Sequence, residues 1–381
     1  MNFKTIMDTP WIQFEQYQDD ENRAGPDFSE YIWQALFACQ VGIRSHQEWV
    51  KLKWGFNALA LLEETLERQR LFLESQYAIR NELRMEPPDH RTLAFRFINR
   101  PGEGLVLTVL GKIHARTKEE SIENALALYR ELKSTFPYDY TLAPACSRDE
   151  FLQISGWDIL ENSESSSDLV QIKRSEIPIL PERRSVFLQG FWQSNARAHE
   201  QIWRSLAVSL NPLLMNISLR STILYPKELE KLSKSANDIS EIDDHLVNEK
   251  TFLAMKHWHE LYTERRLTPW KKFFYLQVHL ASPGKIDENL LRIVGTSLTL
   301  GNDKQSLGYR VAAPRTDEQL GWRKKIRNLD VVSSASLLPI PRLAEVADLD
   351  EVFAVVRFPY SPPEDGFPDM KFAAAKNDEE S

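Results

Sequence analysis

The feature that most constrains this chain is a pattern that returns three times: a strand-like run that stops at a proline. Tyr138-Asp139-Tyr140-Thr141-Leu142-Ala143-Pro144, Leu219-Arg220-Ser221-Thr222-Ile223-Leu224-Tyr225-Pro226 and Leu307-Gly308-Tyr309-Arg310-Val311-Ala312-Ala313-Pro314 lie about 80 to 90 residues apart. Each follows an apolar strand-like stretch and an amphipathic helix-like stretch, and each leads into polar, helix-competent sequence. The spacing predicts copies of one supersecondary element, with helices packed on a sheet.

Around these runs the chain divides by composition. Residues 1–26 are polar, end at Gly25-Pro26 and read as an extended arm. Residues 27–86 are expected to form a helical region. Ala35, Leu36, Cys39 and Val41-Gly42-Ile43 make one apolar stretch, and Trp54, Leu59, Leu61-Leu62, Leu66 and Leu71-Phe72-Leu73 recur at three- and four-residue spacing. Glu86-Pro87-Pro88-Asp89-His90 breaks that pattern.

The first α/β unit then spans residues 87–168, with strands at Leu93–Ile98 and Leu105–Leu110 and a helix from Ser121 behind the capping pair Thr117 and Glu120. The second, residues 169–268, pairs the strand Ser185–Phe191 with the helix Ala196–Leu210, a returning strand and a charged helical insertion at 227–267. The third, residues 269–345, has the strand Phe273–Leu280 and a helix from Asp287 to Leu298. Residues 346–381 hold a strand, a proline-rich segment and a polar tail. The expected class is α+β (or mixed α/β): an N-terminal helical region followed by three strand-helix-strand units.

Composition narrows the function classes. A net charge of −8 disfavours a protein that coats nucleic acid along its whole surface, and leaves room for a local basic groove. Two cysteines, Cys39 and Cys146, make neither a disulfide framework nor a zinc pattern. The N-terminus lacks the form of a signal peptide and no eighteen apolar residues run together, so no membrane span and a cytoplasmic location are expected.

No cofactor motif is present. The stretch Gly104 to Gly111-Lys112 has the wrong spacing for a phosphate-binding loop, with Val106 at the first glycine position and Ile113 at the magnesium-binding hydroxyl. It reads as a strand. His257 and His259 diverge by about 200° on a helix, so they do not share a metal. The carboxylates of Glu241-Ile242-Asp243-Asp244-His245 sit in a charged helical run and read as solvated. A metal-dependent enzyme built on residues 241–260 is therefore the weakest reading. The basic stretch Arg310, Arg315, Arg323-Lys324-Lys325-Ile326-Arg327, with Trp322 beside it, has the composition for stacking on bases and contacting phosphates. Its nucleic-acid candidates are Arg310, Trp322, Arg323, Lys324, Lys325 and Arg327, against the reading of a solvated helix face.

The run ending in Phe136-Pro137-Tyr138-Asp139-Tyr140, the third unit, and the closing Val356-Arg357-Phe358-Pro359-Tyr360-Ser361-Pro362-Pro363-Glu364-Asp365-Gly366-Phe367-Pro368 carry a family resemblance. Together they resemble the pre-motor region of HerA/FtsK-type DNA-pumping ATPases, including conjugative-transfer ATPases. The resemblance covers residues 90–370 as a pattern and includes no catalytic motif. In that family the motor domain follows, with its phosphate loop; here the chain stops shortly after Pro368, and no ATPase residue carries over. The resemblance implies a non-catalytic accessory or scaffold protein. It would dock with a separately encoded phosphate-loop ATPase in a hetero-oligomer, using Phe358, Tyr360 and Phe367 as exposed partner-binding aromatics. The alternative is a nucleic-acid-binding component of a defence or mobile-element system.

Overall fold

The computed structural model describes residues 9–16, 33–43, 58–77, 91–161, 168–180, 183–240, 249–268, 271–300, 306–338 and 340–360. In chain order its first half holds β1 (Gln13–Gln16), β2 (Trp33–Ile43), α1 (Ala58–Ser75), β3 (Arg91–Arg100), β4 (Gly104–Ala115), α2 (Lys118–Thr135), β5 (Tyr140–Pro144), α3 (Arg148–Ser155) and α4 (Trp157–Glu161). The second half holds β6 (Asp168–Arg174), β7 (Glu176–Leu180), β8 (Arg183–Gln189), α5 (Ala196–Ala207), β9 (Leu213–Thr222), α6 (Pro226–Ser240), α7 (Glu249–Leu267), β10 (Phe273–Ser282), α8 (Glu288–Leu298), β11 (Tyr309–Ala312) and α9 (Gln319–Arg327). A 3₁₀ turn at Pro341–Ala344, β12 (Val346–Asp348) and α10 (Leu349–Val355) complete it.

Ten of these strands form one antiparallel sheet in the order β1-β2-β4-β3-β9-β10-β6-β11, with β5 beside β1 on β2 and β12 beside β6 on β10. Within this order lies one motif used twice. Without β1, β12 and the insertions, each half runs β-α-β-β-α-β, and its strands lie fourth, first, third, second: β5-β2-β4-β3 and β11-β6-β10-β9. That is the strand order of a split β-α-β, ferredoxin-like unit. The halves meet edge to edge where β3 pairs β9, from Leu93↔Leu219 to Asn99↔Leu213, with Arg96↔Asn216 at the midpoint.

The class α+β is as expected: ten α-helices and a ten-strand sheet among the described residues. The N-terminal helical region is not. Residues 33–43 are β2, a strand between β4 on one side and β1 and β5 on the other. Both its faces are covered, so both are apolar and the alternation that marks a half-exposed strand is lost. Of that region only Ala58–Ser75 is helical among the described residues. The three expected units resolve into two. Pro144 ends β5 and Pro314 follows β11, strands that hold the same place in each half, whereas Pro226 opens α6 after β9.

Strand parity separates two covered faces. The first is apolar: Phe37, Phe95, Val109, Ile217, Leu276 and Val278 pack against α1, α2, α5, α8 and α10 through residues such as Phe72, Leu128, Trp203, Val294 and Val352. Side-chain caps fix these helix starts, with Thr117 accepting from the Glu120 N–H, Asn195 from Ala198 and Asp287 from Asn289. The second face is covered by α3, α4 and α9, through Phe151, Trp157, Ile159, Trp322 and Ile326. Gly156, at φ 69°, lets the chain turn from α3 directly into α4.

The second half carries two insertions absent from the described first half. The β7–β8 hairpin lies between β6 and α5, and the α6–α7 helix pair lies between β9 and β10. They pack on each other around Phe187, Leu224, Leu232, Tyr262 and Leu343, with a satellite of Leu188, Ile239 and Phe252. The expected charged helical insertion at 227–267 is this pair. Among the described residues no helix is long and apolar enough to cross a membrane.

Candidate functional site

The second face of the sheet carries most of the buried polar chemistry. One register row crosses six strands there: Gln40, Thr108, Arg96, Asn216, His279 and Gln171 stand opposite one another in turn. Arg96 lies at its centre and is fully buried. Its Nε donates to Asn216 Oδ1 at 2.9 Å, Nη1 to the Ser155 carbonyl at 2.6 Å and Nη2 to the Ile326 carbonyl at 2.5 Å. Ser155 ends α3 and Ile326 lies in the last turn of α9, helices that follow the equivalent strands β5 and β11. One guanidinium at the junction thus meets the negative ends of two helix dipoles, one from each half. Burial lowers its pKa to about 9, which leaves it charged at neutral pH.

His279, two strands away, is also buried, 6.3 Å from the Trp322 ring, with no hydrogen-bond partner on either ring nitrogen. Burial, with the cations of Lys173 and Arg96, pushes its pKa down to about 3, so the ring is neutral. The row therefore supplies fixed dipoles and one cation at neutral pH, with no group poised to exchange a proton near pH 7.

Beside the row, an irregular strap, residues 328–338, crosses the sheet. Lys112 pairs with Asp330. The Gln277 amide both donates to the Val332 carbonyl (2.7 Å) and accepts from the Val332 N–H (3.0 Å). Lys173 donates to Ser334 Oγ at 2.8 Å and to the Ala335 carbonyl at 3.2 Å, which also accepts from Arg310 at 2.7 Å. Glu176 Oε2 accepts from Ser336 Oγ at 3.0 Å and from the Leu337 N–H at 2.6 Å.

A second charged cluster ties the inserted module to the sheet. Glu351 accepts from Arg174 at 2.5 Å and from Arg266 at 2.6 Å, all three fully buried. Asp348 accepts from Arg265 at 2.6 Å and lies 3.3 Å from Lys271. Burial opposes the Asp348 charge, but Arg266 and Arg265 outweigh it and hold its pKa down at about 2. The same balance lowers the pKa of Glu351. Among the described residues no group of three or more His, Cys, Asp or Glu side chains is arranged to hold a metal ion.

The structure disperses the basic stretch singled out by sequence. Trp322 is buried in the α4–α9 core. Arg323 is buried and donates to the carbonyls of Ile159 and Asp168 at 3.1 and 3.3 Å. Arg310 is paired with Glu176 at 2.8 Å, and Arg327 with Glu161 at 3.1 Å while lying over the Trp157 ring. Lys324 is exposed and Lys325 half-buried. The arginines of this stretch hold α9 to α4 and β11 to β7. Sequence could not show this, because the acceptors lie well over a hundred residues upstream.

Phe358 is also corrected. It is 1% exposed and packs among Phe72, Phe95, Phe136 and Tyr140, with ring centroids 5.1 to 5.9 Å away. Tyr360 is half-buried against Trp203, and Phe367 lies outside the described residues. Its place among prolines suggested exposure, but the backbone of Phe358 is held on both sides by the Gln69 amide.

His257 is exposed and His259 buried, as their helical spacing requires. His259 bonds the Phe187 carbonyl and Ser235, joining α7 to β8 and α6. On the outer side of α7, Leu253 (56% exposed) and Leu261 (36%) stand eight residues apart with exposed His257 between them. Residues at that spacing share one face of a helix. The inner side of the same helix carries His259, Thr263 and Arg266. This arrangement is legible in the sequence as leucines out of phase with Phe252, His259 and Tyr262. No protein-family model matches the chain, and no match is found among curated proteins.

Proposed function

We propose that this chain is a non-catalytic accessory or scaffold protein that docks through its inserted module. The observation that carries the reading is the outer stripe of α7, where Leu253 and Leu261 face solvent while charged and polar groups of that helix face inward. A helix is expected to turn its apolar side to its own core, so leucines at i and i+8 on the outer side, with a histidine between them, suit the groove of another protein. The ion pairs of Arg174 and Arg266 with Glu351 hold that helix rigidly to the sheet, which lowers the entropic cost of docking.

The resemblance of residues 90–370 to pre-motor regions supplies the partner class: a separately encoded HerA/FtsK-like DNA-translocating ATPase, met in the cytoplasm as part of a hetero-oligomer. The test is a tagged purification from the native host with quantitative mass spectrometry. A phosphate-loop ATPase at near-stoichiometric level, lost when Leu253→Glu and Leu261→Glu are combined, is the expected result. A chain that elutes alone, or an ATPase that stays bound to the double variant, refutes this reading of α7.

A further inference from the structure

We infer that the strap, residues 328–338, is a tethered occupant of a peptide-binding trough on the second face of the sheet, and that a partner's extended segment exchanges with it. The inferred ligand is a short extended peptide with a carboxylate near its N-terminal end followed by small residues. The inference rests on the docking reading above and gives it a second point of engagement.

The first support is the kind of bond. The Gln277 amide meets both the N–H and the carbonyl of Val332; Lys173 and Arg310 meet the Ala335 carbonyl; Glu176 meets the Leu337 N–H. These contacts read the main chain of the strap and would hold any extended peptide of suitable size. Polar side chains of the strap are used at Asn328, which donates to Glu15 outside the trough, and at Asp330, Ser334 and Ser336 within it. Those three positions set the chemistry of the peptide: an acid for Lys112, and hydroxyls for Lys173 and Glu176.

The second support is that two charged groups of the trough, Lys173 and Glu176, have partners outside the strap. Lys112, Gln277 and Lys173 stand on strands, with 1 to 2% exposure, and Glu176 starts β7. Lys173 has a further partner in Glu345 at 3.0 Å, and Glu176 in Arg310 at 2.8 Å. Removal of the strap leaves these charges paired. Lys112 is the exception: Asp330 is its close carboxylate partner, and burial lowers the lysine pKa despite it.

The third is the composition of the strap itself. Asp330-Val331-Val332-Ser333-Ser334-Ala335-Ser336 is a run of small residues without helix or strand pairing, although it crosses a sheet face. Its apolar hold is Leu329 in the core with Phe151 and Trp157, Val332 beside Trp322 and Ile326, and Leu338 beside Leu343. The remaining hold is polar, and polar main-chain contacts are the ones another peptide reproduces.

The experiment uses the full chain and a fluorescein-labelled peptide of residues 328–338, followed by anisotropy. The strap is weakened with Asp330→Asn, and the trough is tested with Gln277→Ala in that background. The expected result is at least tenfold tighter peptide binding to Asp330→Asn than to the unaltered chain, and its loss on adding Gln277→Ala. Absence of binding to an Asp330→Asn protein that keeps its circular dichroism and unfolding midpoint overturns the inference; so does binding that ignores Gln277→Ala. Hydrogen exchange on the unaltered chain gives a second measure that needs no variant. The amides of Val332 and Leu337 should exchange at least tenfold faster than those of Leu276 and Val278. Exchange of both sets at one rate, through global unfolding, overturns it. Neither readout involves an ATPase, so failure here is separable from failure of the α7 interface.

Discussion

The two halves of the sheet share one frame and are elaborated differently. In the first half β3 passes to β4 through a tight turn between Arg100 and Gly104, whereas in the second the equivalent connection from β9 to β10 contains α6 and α7. The first half is held by apolar and aromatic packing, as in the ring cluster of Phe72, Phe95, Phe136, Tyr140 and Phe358. The second adds buried ion pairs, Arg174 and Arg266 with Glu351 and Arg265 with Asp348, where the insertions meet the sheet. The apolar core of the inserted module reaches the sheet at Phe273 of β10 and Val346 of β12. Fixed charge pairs also set its position, because each removed partner leaves a buried charge behind.

That contrast can be broken most directly at Glu351. Glu351→Ala leaves Arg174 and Arg266 without their shared carboxylate and should cost about 3–5 kcal/mol, read from urea unfolding. The module should lose hydrogen-exchange protection first, and a cost under about 1 kcal/mol would erase the distinction between the halves. Phe358→Ala is the counterpart in the first half. It opens a cavity in the aromatic cluster and should cost about 3 kcal/mol, with protection lost in α1 and β3 instead. Arg96→Met tests the junction. The carbonyls of Ser155 and Ile326 lose their donor, and a loss of about 2 kcal/mol is expected, with the two transitions separating if Arg96 couples the halves.

Acid should sharpen the comparison. His199, bonded to the Ala354 carbonyl, and His279 both belong to the second half, and burial first of all lowers each pKa to about 3. Between pH 6.5 and 3 the unfolded chain binds protons that the folded chain refuses, so stability is full above that window and falls as pH drops through it. The slope approaches about 1.4 kcal/mol per pH unit for each histidine. Urea midpoints from pH 7 to pH 5 should fall, and His279→Gln should flatten the slope. A pH-independent midpoint would show that these rings are not buried neutral. The smallest effect belongs to Lys324→Glu, an exposed position at which a stability change within about 0.5 kcal/mol is expected. A large loss of DNA affinity in the same variant would revive the basic stretch as an interface.

What sequence could show follows from range. The capping pair Thr117 and Glu120 is local, and its helix starts at Lys118, three residues before the expected Ser121, while α8 starts at Glu288, one residue after the expected Asp287. The helix pair of the insertion and the strand at Gly104–Ala115 were equally readable. β2 was not, because burial on both faces gives it the composition of a buried helix segment. Arg96 could have been noticed: between Phe95 and Phe97 in an alternating strand, it must face away from the core that both phenylalanines enter. Its partners at 155, 216 and 326 were beyond any local pattern. The same distance hid the fate of Arg310, Arg323 and Phe358.

The pairing of β3 with β9 has a consequence for each half taken alone. Each is the edge strand of its own half, so a single half on its own would carry that edge bare, with seven residues ready for another chain. Two free copies would satisfy it by meeting about a twofold axis through the position of Arg96 and Asn216. Joined in one polypeptide, such a pair no longer depends on concentration, and the two copies no longer need to stay alike. One could remain a plain unit while the other took on a hairpin, a helix pair and the charges that hold them.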